Sequence, residues 1–194
     1  MKTARKVLVL ALCAVLLVSA TIMGTMAYLT SSDAVTNTFT VGSVSITLDE
    51  APVDVYGTVV QGNRVKANTY KLVPGHSYTK DPTIHVTQGS EECWLFVKIV
   101  DEIAAIEDAT TVAAQLTANG WTPIDPAKNI YAYNSKVDAR ATAQNVPVFG
   151  SFKIKQDADL SSYTDKTIVV TAYAIQADSF TSAQDAWTTA GGSF

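Results

Sequence analysis

Two histidines, one cysteine outside the first 27 residues and three acidic pairs are the side chains of this 194-residue sequence whose types lend themselves to chemistry. A zinc protease needs ligands a helical turn apart, as in His-Glu-x-x-His, with a base beside the bound water. His76 instead lies in a Pro-Gly-His turn, and His85 lies between Ile84 and Val86, on the opposite and solvated face of a strand pattern. Neither is followed by a helical glutamate, so a zinc site would have to join these two histidines to a remote carboxylate. Ser77 adjoins His76, and no nucleophile-elbow pattern accompanies it. Cys93 opens Cys-Trp-Leu-Phe-Val-Lys-Ile-Val, a strand pattern that favours burial and an inert thiol. A reactive or intermolecular thiol is the other reading. Asp49-Glu50, Glu91-Glu92 and Asp101-Glu102 fall at strand ends and read as solvated termini, with calcium binding as the functional alternative. Trp94, Phe96, Trp121 and Trp187 have the chemistry of a sugar platform, but each lies in a pattern that reads as core. No catalytic, cofactor-binding or metal-binding residue is assigned, and no cofactor is expected.

The elements that would position these side chains are mostly strands. Phe39 and Val41 share one parity, whereas Val44, Ile46 and Leu48 share the other, with Gly42-Ser43 between them. A side-chain period of two cannot hold both sets on one face, so a bulge, bend or strand change is predicted at Gly42. The segment from Tyr28 to Asn37 is polar and small and reads as an N-terminal arm. Val53–Val60 and Arg64–Val73 flank Gln61-Gly62-Asn63 as a hairpin or an irregular excursion. Strands follow at Thr83–Thr87 and at Cys93–Val100, the latter apolar on both faces except at Lys98 and therefore central. Between Asp101 and Asn119 the apolar residues change to helical spacing, which predicts one crossing helix broken near Asp108 and stopped at Gly120. Asn129–Asn134, Val148–Lys155 and Lys166–Ala177 are further strands. Short helical turns are predicted at Leu160–Tyr163 and Ser182–Trp187. The expected fold is mainly β, a jelly-roll-like antiparallel sandwich with one crossing helix.

The chain starts with three cations, Lys2, Arg5 and Lys6, then runs uncharged from Val7 to Met23 and reaches the small residues Gly24-Thr25-Met26-Ala27. That order is a secretion signal, with cleavage between Ala27 and Tyr28. The apolar run is longer than the ~7–15 residues of a usual signal core and near the ~17–25 that span a bilayer, so an uncleaved anchor is the other reading. Cys13 is preceded by Leu12 rather than by the small residue a lipid-attachment site needs. Removing residues 1–27 leaves 194 − 27 = 167 residues, with 14 − 3 = 11 cations against 18 acids and a net charge of −7. A surface of that sign, without a basic cluster, repels phosphate backbones and argues against nucleic-acid binding.

Three stretches together resemble the TasA/camelysin-like proteins of Gram-positive bacteria. They are Gly-Thr-Met-Ala-Tyr-Leu-Thr-Ser-Ser-Asp (24–33) leading into Asn-Thr-Phe-Thr-Val-Gly (37–42); Lys-Leu-Val-Pro-Gly-His-Ser-Tyr-Thr-Lys-Asp-Pro (71–82) followed by Glu-Cys-Trp-Leu-Phe-Val-Lys (92–98); and Thr-Ala-Tyr-Ala-Ile-Gln-Ala-Asp-Ser-Phe (171–180) with Ala-Trp (186–187) after it. The resemblance implies a signal processed by a dedicated endoplasmic-reticulum-type signal peptidase. It also implies a jelly-roll matrix protein whose N-terminal segment adds as a strand to the next subunit, a head-to-tail contact that grows fibres. On this reading residues 1–27 are the signal, 28–41 the donor arm anchored by Phe39 and Val41, and 42–194 the β-sandwich domain. The partners are copies of the same chain and the signal peptidase, with a membrane touched only through the uncleaved signal. The family label also carries a metalloendopeptidase activity, for which no zinc motif is present. A camelysin-like secreted protease and a glycan- or host-binding surface module are the two other functions the sequence leaves in view.

Overall fold

The computed structural model describes residues 2–27 and 42–191, which belong to two compact units. The described residues of the first form one helix, α1, Lys2–Ala27. Of its described side chains, Val7, Leu8, Leu10 and Leu16 are all more than half exposed, and Cys13 is exposed beside them. Ala27 closes the helix, while Tyr28, Phe39 and Val41, with the rest of 28–41, lie outside the described residues. Among the described residues no helix is long and apolar enough to cross a membrane.

The second unit is mainly antiparallel β with a few short helices. In chain order it contains β1 (Ile46–Asp49), β2 (Ser77–Thr79), β3 (Thr83–Val86), β4 (Cys93–Asp101), a 3-10 turn (Ala104–Ile106), α2 (Val112–Ala118), β5 (Trp121–Asp125), a second 3-10 turn (Pro126–Lys128), β6 (Ile130–Tyr133), β7 (Gln144–Pro147), β8 (Ser151–Lys153), β9 (Ile168–Gln176) and α3 (Ala183–Thr189). Three sheets result, ordered β1-β3-β7, β2-β8 and β5-β6-β4-β9. The last is organised by β4, which pairs with β9 from Cys93↔Gln176 to Asp101↔Ile168 and with β6 on its other side.

Period-two alternation explains why β4 is apolar throughout. Cys93, Leu95, Val97 and Ile99 enter one core with Ile84 and Val86 of β3, Val146 of β7, Tyr78 of β2 and Phe152 of β8. Trp94 and Phe96 face the other way, into a second cluster closed by Ala186 and Trp187 of α3. A strand buried on both faces has no polar face to show, as its sequence predicts. Val44, Ile46 and Leu48 pack together against the main core, in keeping with their common parity. Residues 42–45 are outside any strand, so β1 begins only after Gly42-Ser43.

Several expectations are resolved or corrected. Of the two readings of region 53–73, hairpin or excursion, the excursion is the one present: its only bridges are the isolated Glu50↔Val65 and Val53↔Val59. Side chains do the work of a ladder there. Asp54 Oδ1 accepts the N–H groups of Tyr56 and Thr58, and Asn68 Oδ1 accepts that of Val53. Gly57, at φ +77°, seats this excursion on β2, since a Cβ would stand 2.7 Å from the Tyr78 Cα. The helical stretch after β4 is indeed broken, by residues 107–111, and Thr111 caps α2 by accepting the Ala114 N–H. The short helix expected at Ser182–Trp187 is present as α3, which covers the outer face of the β4 sheet, whereas Leu160–Tyr163 forms a turn and not a helix. β2, β5 and β7 have no counterpart among the strands expected from the sequence.

Candidate functional site

The second unit contains a cleft of about 930 Å³. It is lined by Leu48 and Asp49 of β1 with Glu50 just after it, three residues of β9 (Ile168, Val169, Val170), and residues 66–70 of the excursion. Runs of consecutive residues mean that strand edges, not one strand face, look into it. Ile103, Phe152, Leu160 and Tyr163 supply apolar walls, and Lys66, Asp165 and Lys166 stand among the polar lining residues.

The direction of the β9 backbone follows from the bonds at its ends. Glu102 N–H donates to Thr167 O at 3.0 Å, and Ala177 N–H donates to Glu92 O at 2.8 Å. With the register fixed, odd-numbered residues of β9 exchange hydrogen bonds with β4, and the N–H and C=O of Ile168 and Val170 point the other way. Those groups face the cleft side, where no strand among the described residues pairs with them. The β1 side is differently arranged. Glu50 and Val65 exchange backbone hydrogen bonds of 2.9 and 2.8 Å, and Lys66 Nζ donates to Leu48 O. One edge of the cleft is therefore covered by the excursion, and the β9 edge is the one able to accept an added strand.

Two polar clusters flank the β1 side. In the outer one, Arg64 bridges Asp49 and Asp81, and His85 Nε2 lies 2.8 Å from Asp49 Oδ1 while its Nδ1 meets Asn145 Oδ1 at 2.6 Å. His85 sits opposite Asn145 in the β3–β7 register, so both ring nitrogens are engaged by neighbours on the same sheet face. Burial alone would raise the Asp49 pKa, but hydrogen bonds from Arg64 and His85 hold it below the usual carboxylate value. In the inner cluster Glu50, 4% exposed, lies 2.7 Å from Lys80 Nζ and accepts from Asn68 Nδ2 at 2.9 Å. Tyr70 leans over it, donating to Thr79 O at 3.0 Å. Burial, and then the charge of Glu50, push its phenol well above the ordinary range.

The structure keeps the sequence-singled residues in separate places. His76 Nε2 meets Tyr56 O at 2.8 Å, with its ring 4.6 Å from that of Tyr78. Ser77 is exposed. Among the described residues no three His, Cys, Asp or Glu side chains converge as metal ligands. Cys93 is fully buried, and burial, followed by the Glu92 charge, lifts its thiol to about 11. Trp94, Phe96, Trp121 and Trp187 are all buried. Asp49-Glu50 is the clear correction, since this pair forms part of two polar networks rather than a solvated strand end. Asp101 likewise turns inward to accept the Ile103 N–H at 3.0 Å.

Sequence reasoning missed Asn68 and Lys80 and placed Glu50 at a solvated strand end, although a signal for Glu50 and Lys80 was present. Glu50 continues the inward parity of Val44, Ile46 and Leu48, and Lys80 continues that of Tyr78. Charged residues on an inward parity ask for partners. Asn68 lies on an irregular segment, where no period assigns a face. No family model, curated protein or solved structure matches this chain.

Proposed function

We propose that this chain is an exported structural protein of the cell surface or biofilm matrix, a jelly roll that assembles into fibres by donating residues 28–41 as a strand to the next copy. The observation that carries this reading is the β9 edge at Ile168 and Val170, whose backbone groups face a cleft with apolar walls. An extended segment laid along that edge would gain main-chain hydrogen bonds there and bury alternate side chains beneath it. Phe39 and Val41 share the parity such a segment needs, with polar Thr38 and Thr40 facing away. Export supplies the free end. The cations ahead of Val7 and the apolar, solvent-facing helix α1 have the make-up of a signal, and cleavage after Ala27 would leave Tyr28 as the new N-terminus. Donation from one copy to the next uses two different surfaces, so the contact does not close on itself and grows filaments.

The test is microscopy of secreted protein. Wild type is expected to form filaments by negative stain, while a variant lacking residues 28–37 and carrying Phe39→Asp stays monomeric with an unchanged β-type circular dichroism spectrum. Filaments that persist in this variant sink the reading.

A further inference from the structure

Glu50, Asn68 and Lys80 come from three segments, the end of β1, the excursion and the residue after β2, and meet in the wall of the cleft. The two oxygens of Glu50 divide between the other two side chains. Oε2 lies 2.7 Å from Lys80 Nζ, and Oε1 lies 2.9 Å from Asn68 Nδ2. The Lys80–Glu50 pair leaves only 11% and 5% of its side chains exposed, whereas every other ion pair among the described residues leaves 21% or more of each. A buried ion pair contributes little net stability, because desolvation offsets the attraction. The asparagine is held as firmly. Its Oδ1 accepts the Val53 N–H at 3.0 Å, and its Nδ2 also donates to Ala51 O at 2.9 Å. Reversing the amide would set an NH2 against an N–H and an oxygen against a carbonyl, so the backbone fixes which atom is which.

An amine, a carboxamide and a carboxylate that touches the nitrogens of both are the parts of an acyl transfer. We propose that Lys80 and Asn68 become joined by a side-chain amide bond, with Glu50 as the acid–base catalyst. Glu50 takes a proton from Nζ, and the freed lone pair attacks Cγ of Asn68. Charge builds on Oδ1, where the Val53 N–H already donates. The tetrahedral carbon collapses as the protonated Glu50 passes a proton to Nδ2, and the Cγ–Nδ2 bond breaks. Glu50 then takes the second proton from the acylated Nζ and yields it to the departing ammonia, so that one Nζ–Cγ bond is formed, one ammonium ion leaves through the cleft, and Glu50 ends as the carboxylate it was at the start. No oxidant, metal or second substrate is consumed. A primary amide is a poor electrophile in water, and the reaction depends on the fixed proximity of the three groups, which only the folded domain provides. The product ties the excursion to the end of β2, beside the β9 edge, and this inference stands whether or not the chain forms fibres.

Peptide mapping of the folded, full-length chain reads the bond directly. Trypsin cuts after unmodified Lys66, Lys71, Lys80 and Lys98. The expected wild-type product is peptide 67–71 joined to peptide 72–98, uncut at the acylated Lys80, at the summed mass of the two less one ammonia. Separate peptides 67–71 and 72–80 at full mass, recovered from folded wild type, overturn the proposal. Glu50→Gln keeps the nucleophile and the amide but removes the proton carrier, and is expected to give the separate peptides; a bond that still forms in E50Q overturns the role of Glu50. Lys80→Arg, which keeps the cation without the amine, is expected to give unlinked peptide 67–71, and a linked one would overturn the assignment of Lys80.

Discussion

Glu107 is only 3% exposed. Its Oε2 accepts the Val112 N–H at 3.0 Å, while Oε1 meets no hydrogen-bond partner among the described residues. Burial, and then the nearby Asp101, raise its pKa from 4.5 to about 7, against the Val112 hydrogen bond. The two cations flanking Ile154, its bridge partner, are committed elsewhere, Lys153 to Asp108 at 2.6 Å and Lys155 to Ala105 O at 2.8 Å. Because the folded value lies above the unfolded one, the favourable state is the protonated acid. Its contribution is complete below pH 4.5 and is lost as the pH rises through about 7. In that window each pH unit costs up to about 1.4 kcal/mol. Glu107→Gln retains an acceptor for Val112 and has no proton to lose. Urea unfolding is expected to find the variant more stable than wild type by about 1–3 kcal/mol at pH 8 and level with it at pH 4. An unchanged difference across this range would refute the assignment. None of this was readable in the sequence: Glu107 lies just beyond a helical-spaced stretch near the expected break, and only the fold decides that the break turns inward. Glu50 and Lys80 differ, since strand parity already places them inside.

Strands with a clean alternation, β3, β4 and β9, were legible because burial on one or both faces leaves a pattern of its own. Three strands escaped, β2, β5 and β7; of these β5 and β7 carry a proline, Pro123 and Pro147, and each lies at the edge of its sheet. Edge position explains both facts, because an outward backbone needs no N–H for the ladder and tolerates a residue that cannot donate. The excursion escaped for another reason. Its backbone groups are satisfied by side chains at no fixed spacing: Asp54 accepts N–H groups two and four residues on, Tyr78 that of Val73 five residues back, and Asn68 that of Val53 fifteen residues back. The role of α3 was also hidden, since seven residues with one tryptophan give little period to read. Trp187 lies over Phe96 with ring centroids 5.0 Å apart, and with Ala186 it closes the outer cluster over Trp94 and Ile175. Trp187→Ala is expected to lower stability by about 3 kcal/mol or more in chemical denaturation, the usual scale for removing a buried aromatic ring. A loss below about 1 kcal/mol would mean that the helix is not a working part of the core.

At the scale of the whole molecule, the proposed assembly makes two neighbouring residues behave oppositely. The alternation in β9 gives Val169 an N–H that bonds to β4 and Val170 an N–H that faces the cleft. Proline removes that donor at either position. Val169→Pro removes a hydrogen bond of the long β4–β9 ladder, where Val169 pairs with Val100 next to the Asp101↔Ile168 end, and is expected to cost about 3 kcal/mol. Val170→Pro leaves that ladder intact and takes away only a group that an incoming strand would use, as edge prolines do in many sheets. Purified V170P is expected to keep the wild-type unfolding transition within about 1–2 kcal/mol, allowing for its altered packing against the core, and to form few or no filaments. Arm and edge then fail in the same way, since deletion of residues 28–37 removes the donor and V170P its acceptor. Mixing the two variants separates the roles further. Each V170P chain still has a good arm and each arm-deleted chain a good edge, so an equimolar mixture should form pairs, seen by analytical ultracentrifugation, and no filaments. Filaments from V170P alone would place the growth contact on another surface of the domain.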